Sequence, residues 1–453
     1  MIKRVLIANR GEIAVRVVAA CRSVGLECVA VYSEADRNGL WTRIADRAVC
    51  IGAAPAAQSY LSAQTLVAAA KGTGCDAIHP GYGFLSENAS FAALCEAEDV
   101  MFVGPRSESI ASMGNKIAAR RLAREAGVPT VPGSEGRLEN VAAAHALGNE
   151  SGYPLLLKAA AGGGGRGMRI VRSADELPAR FAEAEAEARA AFADGALYAE
   201  RFLEGVRHIE VQIVGDGEGN AIHFGERDCT LQRRSQKLFE EAPAVALSPA
   251  VRKKLTSAAV QLARSIRYRS AGTMEFVYDP ATEQFHFLEM NTRIQVEHPV
   301  TEMVTGFDLV GEQLRIAAGR GLGLQQKDVR LQGHAVECRI NAEDPEHDFR
   351  PSPGTIAAWS APVGAGIRLD THAYEGYTIP PFYDSMIAKL IVHGATREEA
   401  LGRARTALKQ FRIEGPATTI DLHARLLGDS RVIENRTDTK WVEREFLRPT
   451  PAA

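Results

Sequence analysis

The 453-residue chain contains no CxxC pair, and its seven cysteines, at 21, 28, 50, 75, 95, 229 and 338, share no metal-ligand spacing with histidine. An odd, scattered set of this kind fits a reducing cytosol. No run approaches the roughly 18 apolar residues of a membrane span, and the opening Met1–Glu12 is interrupted by charge too soon to form a signal-peptide core. A soluble, cytoplasmic protein with no membrane partner is expected. The net charge of −3 leaves no broad electrostatic footprint for nucleic acid, so any phosphate binding must be local. The turn Ala8–Glu12 has one glycine and no GxGxxG, which argues against a dinucleotide. No Walker GxxxxGK[ST] occurs in the glycine-rich segment 158–168, so the P-loop is not the pattern there.

What is present is an ordinary globular composition, with 46% hydrophobic and 24% charged residues, in a chain long enough for two or three domains. Residues 1–112 alternate short apolar runs with helical segments, the βαβ rhythm of a doubly wound parallel sheet. The loop Pro80–Phe84 falls at a strand's carboxyl end, where such sheets place ligands or simply turn. A helix over Asn115–Ala126 ends at Gly127, with Pro129 and Pro132 beyond, and a second unit begins there. In it, strands at Tyr153–Lys158 and Met168–Val171 flank a glycine loop, Phe181–Phe192 reads as a solvated helix, and Leu197–Phe202 as a further strand. A β-rich region follows, and from about Leu331 the pattern changes again, to a third unit over 331–446.

The most informative stretch is Glu289–Glu302. Read as an extended strand, Glu289–Glu297 puts Glu289, Asn291, Arg293, Gln295 and Glu297 on one polar face, and Met290, Thr292, Ile294, Val296 and His298 on a core-covering one. Strands at Met274–Tyr278 and Phe285–Glu289, joined by Asp279–Gln284, set Glu275 opposite Glu289. Two facing carboxylates repel unless a cation lies between them, and a hard ion such as magnesium fits, with the Asn291 carbonyl beside it. The second signal is Lys158 followed by four consecutive glycines, Gly162–Gly165, then Arg166 and Gly167. Bare N–H groups in such a mobile loop can close over oxygen anions.

A strand–loop–strand phosphate flap, a facing acid pair and further lysines at 116 and 237 together resemble the ATP-grasp fold. More closely, the chain resembles the biotin carboxylase family, over Val5 to about Arg436. The resemblance rests on Ile7–Ala14, His79–Asn88, the glycine flap, Arg227–Cys229, Glu289–Glu302, His334–Asn341 and Tyr383–Met386. It implies a multidomain α/β and α+β fold: a doubly wound N-terminal domain over 1–112, an ATP-grasp domain over 113–330 with a lid at about 131–203, and a β-rich C-terminal domain.

By the same resemblance, Lys116 and Lys158 would hold ATP phosphates under Gly163, Gly164, Gly165 and Gly167. Glu200 and the Leu203 backbone would meet adenine, with His208 and Gln232 toward the ribose. Glu275, Glu289 and Asn291 would bind magnesium, with manganese as an alternative ion. Lys237 and Arg293 would hold bicarbonate, Glu297 would act as base, and Arg339 would serve biotin, with Tyr82 and Val296 near its ring. The implied reaction carboxylates biotin through carboxyphosphate, as the first half-reaction of acetyl-CoA carboxylase or of a carboxylase for another acceptor, such as propionyl-CoA or pyruvate. No Met-Lys-Met biotinylation site occurs, so biotin is expected on a separate carrier protein, beside separate carboxyltransferase subunits. A homodimer is implied, although Ala19 stands where some relatives have a subunit-contact arginine. Ser235 stands where the family usually has histidine, and Arg201 where lysine is common; both bear on nucleotide affinity. A non-catalytic nucleotide-binding scaffold is the contrasting reading, opposed by the full set of lysines, acids and arginines above.

Overall fold

The structure, a computed structural model, describes residues 2–160 and 168–448; the expected flap glycines Gly163, Gly164, Gly165 and Gly167 lie outside the described residues. The N-terminal region is a five-stranded parallel sheet in the order Arg47–Cys50, Glu27–Tyr32, Arg4–Ile7, Ala77–His79, Met101–Phe102. Its inner strands are apolar over Val5–Ile7 and Cys28–Val31 because both faces are covered there, whereas the edge strand Arg47–Cys50 is largely exposed. Val5 and Ile7 enter one core cluster and Leu6 the opposite one, and all three are fully buried. Strand order reverses between Arg4–Ile7 and Ala77–His79, so a crevice forms at their carboxyl ends. Asn9 ties the two loops there, its Nδ2 donating to the Pro80 and Tyr82 carbonyls at 2.7 Å each. Gly81, at φ +63°, leaves room for that amide, since a Cβ would stand 2.8 Å from Asn9 Nδ2.

A small unit follows, with strands Arg169–Val171, Leu155–Ala159 and Leu197–Arg201 under helices Val141–Ser151 and Leu177–Phe192. The rest is organised by one eight-stranded antiparallel sheet, ordered Gln284–Asn291, Arg269–Asp279, Arg207–Asp216, Ala221–Arg233, Gln236–Ala242, His334–Asn341, Met386–Gly394, Ile367–Thr371. Its hydrogen bonding runs without a break from Gln236–Ala242 to His334–Asn341, pairing Phe239 with Cys338 and Glu240 with Glu337. The N-terminal parallel sheet, the ATP-grasp centre and the β-rich C-terminal region match the expected fold class. Among the described residues no helix is long and apolar enough to cross a membrane.

One local expectation is corrected. The strand expected over Glu289–Glu297 stops at Asn291. Residues 292–297 leave the ladder because their polar groups find side-chain partners instead: the Thr292 N–H donates to Glu87, and Arg293 donates to the Asn291 and Gln295 side chains and to the Ile294 carbonyl. The five residues of the expected polar face, Glu289, Asn291, Arg293, Gln295 and Glu297, nevertheless all line one cleft, and Val296 joins them there rather than covering the core. Nearby, the strand Ala221–Arg233 doubles back at once as Gln236–Ala242. Its two-residue turn, Arg234-Ser235, has both residues at positive φ, 49° and 64°, without the glycine or asparagine that marks such turns in sequence.

Phe239 is 1% exposed and sits where the sheet crosses into the C-terminal core. Phe239→Ala should cost about 3–5 kcal/mol by cavity formation. Urea titration should show the first unfolding transition at clearly lower denaturant, and an unmoved midpoint would mean the two halves of the sheet are not mechanically joined there.

Candidate active site

A cleft of about 970 Å³ opens between the N-terminal loops and the eight-stranded sheet, lined by Tyr82, Lys116, His208, Gln232, Lys237, Glu275, Glu289, Asn291, Arg293, Val296, Glu297 and Arg339. It gathers most of the residues singled out from sequence. Lys116 opens the helix Lys116–Glu125, whose Asn115 cap accepts from the Ala118 N–H at 3.0 Å. Lys158, Glu200 and Leu203 do not line this cleft. Lys158 Nζ instead meets Glu200 within the small sheet, where Arg120 also pairs with that carboxylate. Burial, with Lys116 and Arg120 nearby, pushes the Lys158 ammonium down, while its contact with Glu200 favours the charged form.

The floor of the cleft is an ordered row of charge. Across four adjacent strands, register places Arg227 opposite Glu210, Glu210 opposite Glu275, and Glu275 opposite Glu289. Cross-strand partners share a face, so three carboxylates stand side by side and cations must separate them. Arg227, fully buried, holds Glu210 through Nε and donates from Nη1 to Gln212 at 2.8 Å and Thr301 at 2.9 Å. Lys237 lies over the row, its Nζ donating to Glu210 at 2.5 Å, Glu275 at 2.9 Å and Glu297 at 2.6 Å. Burial alone would lower the Lys237 ammonium, but Glu210, Glu275 and Glu297 together raise it well above its usual value. Glu297 is fully buried and gives its second oxygen to Arg339 Nη2 at 2.8 Å, while Arg339 Nε donates to Glu240 at 2.6 Å. Burial would raise the Glu297 carboxyl; Lys237, Arg339 and Arg227 hold it well below the carboxylate range, and hence ionised.

The open end of the row is Glu289. Burial and the adjacent Glu275 push its carboxyl up, and it makes no side-chain hydrogen bond among the described residues. Glu275, by contrast, accepts from Asn291 at 2.8 Å and Gln295 at 3.1 Å, and its other oxygen lies 3.1 Å from His208 Nε2. An unsatisfied carboxylate beside an anchored one fits a hard divalent cation bound by oxygen. The Asn291 amide oxygen accepts from Arg293 at 3.0 Å, which leaves the second of its two lone pairs for such an ion.

Family models match the chain in three consecutive blocks: biotin carboxylase N-terminal domain over residues 1–110, carbamoyl-phosphate synthase L chain ATP-binding domain over 115–325, and biotin carboxylase C-terminal domain over 337–444. Biotin carboxylase 1 of Bacillus subtilis is 53% identical over 443 residues, covering 98% of each chain. The chain belongs to the biotin carboxylase family. The solved biotin carboxylase of Campylobacter jejuni in complex with β,γ-ATP superimposes with a TM-score of 0.94 at 45% identity, over 98% of this chain and 99% of that one. The biotin carboxylase domain dimer of Hydrogenobacter thermophilus 2-oxoglutarate carboxylase, in complex with MgADP, ADP and bicarbonate, gives 0.93 at 48% identity over 99% of both chains.

Sequence reasoning missed several residues on which this biotin carboxylase site depends. Glu210 was legible in principle, because His208, Glu210 and Gln212 alternate along one strand, a polar face that an ordinary buried strand has no use for. Glu240, partner of Arg339, and Glu87, which accepts from Arg293 Nε at 2.8 Å, gave no local signal. Ser235 lies exposed on the hairpin turn at the rim of the cleft, and Arg201 points to the Ser151 carbonyl at 2.9 Å.

The depressed carboxyls predict the pH dependence of stability. Burial opposes it, but Lys237 and His208 hold Glu275 below its ordinary value of 4.5 when folded. As pH falls below about 4.5 the unfolded chain therefore binds more protons than the folded one, and stability present above that value is lost through the folded pKa. Glu275→Gln should lower stability near neutral pH by about 3–5 kcal/mol, the scale for breaking a buried pair. In thermal melts the gap between wild type and variant should narrow as pH drops, and a gap independent of pH would show that the Glu275 charge is not what stabilises the site.

Proposed function

We propose that the chain carboxylates biotin borne on a separate carrier protein, using ATP and bicarbonate, as the first half-reaction of acetyl-CoA carboxylase. The observation that supports this best is Glu297 clasped between Lys237 and Arg339, beside an arginine, Arg293, whose guanidinium is braced by Glu87, Asn291 and Gln295. In this reading Lys237 and Arg293 hold bicarbonate. With both oxygens on cations Glu297 is a weak base. An anion that draws Lys237 away raises its proton affinity at the moment a proton must be taken.

ATP phosphates are assigned to Lys116, Lys158 and the glycine segment 163–167, adenine to Glu200 and Leu203, and ribose to His208 and Gln232. Glu275, Glu289 and Asn291 would hold magnesium, which supplies charge neutralisation for phosphoryl transfer. Bicarbonate oxygen attacks the γ-phosphorus, ADP leaves, and the resulting carboxyphosphate breaks to carbon dioxide and phosphate. The phosphate takes the biotin N–H proton, Arg339 steadies the ureido oxyanion, and the nitrogen attacks carbon dioxide, with Tyr82 and Val296 against the ring. Exclusion of water matters because carboxyphosphate would otherwise hydrolyse.

The domain division 1–112, 113–330 and 331–446, a homodimer, and a carrier and carboxyltransferase as partners belong to the same proposal. So does a cytoplasmic location, supported by seven unpaired cysteines. The likeness to a 2-oxoglutarate carboxylase keeps an oxo-acid acceptor as a second reading. Identifying the biotinylated protein and transferase that co-purify with the chain separates the two.

Biotin- and bicarbonate-dependent ATP hydrolysis requiring magnesium is the expected activity. Glu297→Gln should retain ATP binding and lower turnover by about 10² or more; near-normal turnover would remove Glu297 from the mechanism. Arg293→Lys should lose most activity, because a point charge cannot reproduce a braced planar fork. Unchanged bicarbonate dependence in that variant would count against its role.

A further inference from the structure

The segment 292–297 has left the sheet, and each of its buried carbonyls must find a donor elsewhere. Arg293 Nη1 donates to the Ile294 carbonyl at 3.2 Å, and His298 Nδ1 lies 2.7 Å from the Gln295 carbonyl. Both donors belong to the segment itself or to the residue after it, so they shape the turn without anchoring it. The third differs: Lys389 Nζ donates to the Val296 carbonyl at 2.9 Å from the strand Met386–Gly394, where register sets it between Arg339 and Asp370.

Lys389 is fully buried, and a buried ammonium costs several kcal/mol unless it is paired. Its counter-charge is Glu12, from the first helix of the N-terminal domain, with Oε1 at 3.1 Å. Asp370 lies farther, at 4.0 Å, and is already held by Arg368 through two contacts of 2.7 Å. Lys389 also lies 5.8 Å from the Tyr82 ring centroid, so it stands behind both Tyr82 and Val296.

We propose that Lys389 is a positioning residue for Glu297: its hydrogen bond to the Val296 carbonyl fixes the turn that presents the base, and Glu12 holds the ammonium in place. The role assigned to Glu297 rests on the function proposed above; the anchoring of the turn does not. The alternative is that Lys389 and Glu12 only clip two domains together. That clip would alter stability and the fraction of active protein, but not the turn.

Hydrogen exchange over residues 292–300, read beside steady-state kinetics, tests this. Lys389→Met should speed exchange there by about 10-fold and lower kcat by about 10- to 10²-fold while leaving the KM for ATP unmoved, since small displacements of a reacting group carry costs of this size. Lys389→Arg, which keeps a donor, should recover part of both. Because Lys389→Met strands the Glu12 carboxylate, the double variant Glu12→Gln/Lys389→Met is the control: it removes that carboxylate together with the ammonium and should still show fast exchange and low kcat. Glu12→Gln alone should keep slow exchange. Wild-type exchange and turnover in the double variant would overturn the proposal, as would equal effects from Glu12→Gln and Lys389→Met. If the wild-type chain lacks biotin-dependent ATP hydrolysis, the functional reading fails, whereas the exchange data still decide whether Lys389 anchors the turn.

Discussion

Three buried carboxylates share one ammonium at the centre of this protein. Glu210, Glu275 and Glu297 converge on Lys237 Nζ, and none of the four could remain charged there without the others. Taking such charges out of water is costly enough that replacing a buried pair by apolar side chains often leaves a protein as stable or more so. The cluster is thus a poor device for stability and a good one for fixing position. Arg227 and Arg339 complete it at the two ends, with Arg339 shared between Glu297 and a fourth buried carboxylate, Glu240. Lys116 lines the same cleft outside this cluster, and Arg293, paired with Glu87, faces it as well.

The eight-stranded sheet makes the cluster possible. Cross-strand register alone sets Arg227, Glu210, Glu275 and Glu289 in one row, and Lys237 and Arg339 reach it from the next strands of the same ladder. Residues on paired strands are held to fractions of an ångström by the backbone hydrogen bonds on either side, a precision that loops do not offer. Where the chain must bring Arg293 and Glu297 to the same point from the sheet's edge, it abandons the ladder and fastens the turn with side-chain bonds instead.

How far this was legible in the sequence depended on distance along the chain. The short turn over 279–284 placed the Glu275–Glu289 pair only to within a residue: it sets Tyr278 opposite Phe285 and Phe276 opposite Phe287, and a bulge then brings Glu289 opposite Glu275. The extension of that row to Glu210 and Arg227 could not, since nothing local says which strand lies beside Arg269–Asp279. The expected strand through Glu297 ends early for a physical reason: the polar side chains that suggested a working face capture the backbone and end the strand, although all five still reach the cleft. The roles given to Lys237, Arg339 and the adenine-side residues came from family resemblance rather than from spacing, and the pairing of Glu200 with Lys158 and Arg120 was not part of it.

Glu297 carries the same logic into the chemistry. At rest its two oxygens are taken by Lys237 and Arg339, and its proton affinity is correspondingly low. A carboxylate in that state does not protonate idly at neutral pH, and it blocks the two cations from binding stray anions. Any substrate anion that competes for Lys237 weakens one clasp and strengthens the base by the same interaction. Under the roles proposed for Lys237 and Glu297, positioning of substrate and activation of the base would not be separate tasks, because a single ammonium shared among carboxylates couples them. That coupling requires Glu297 to stay in place as the cation moves, and so the rigidity of the turn that carries it matters as much as the charges it faces.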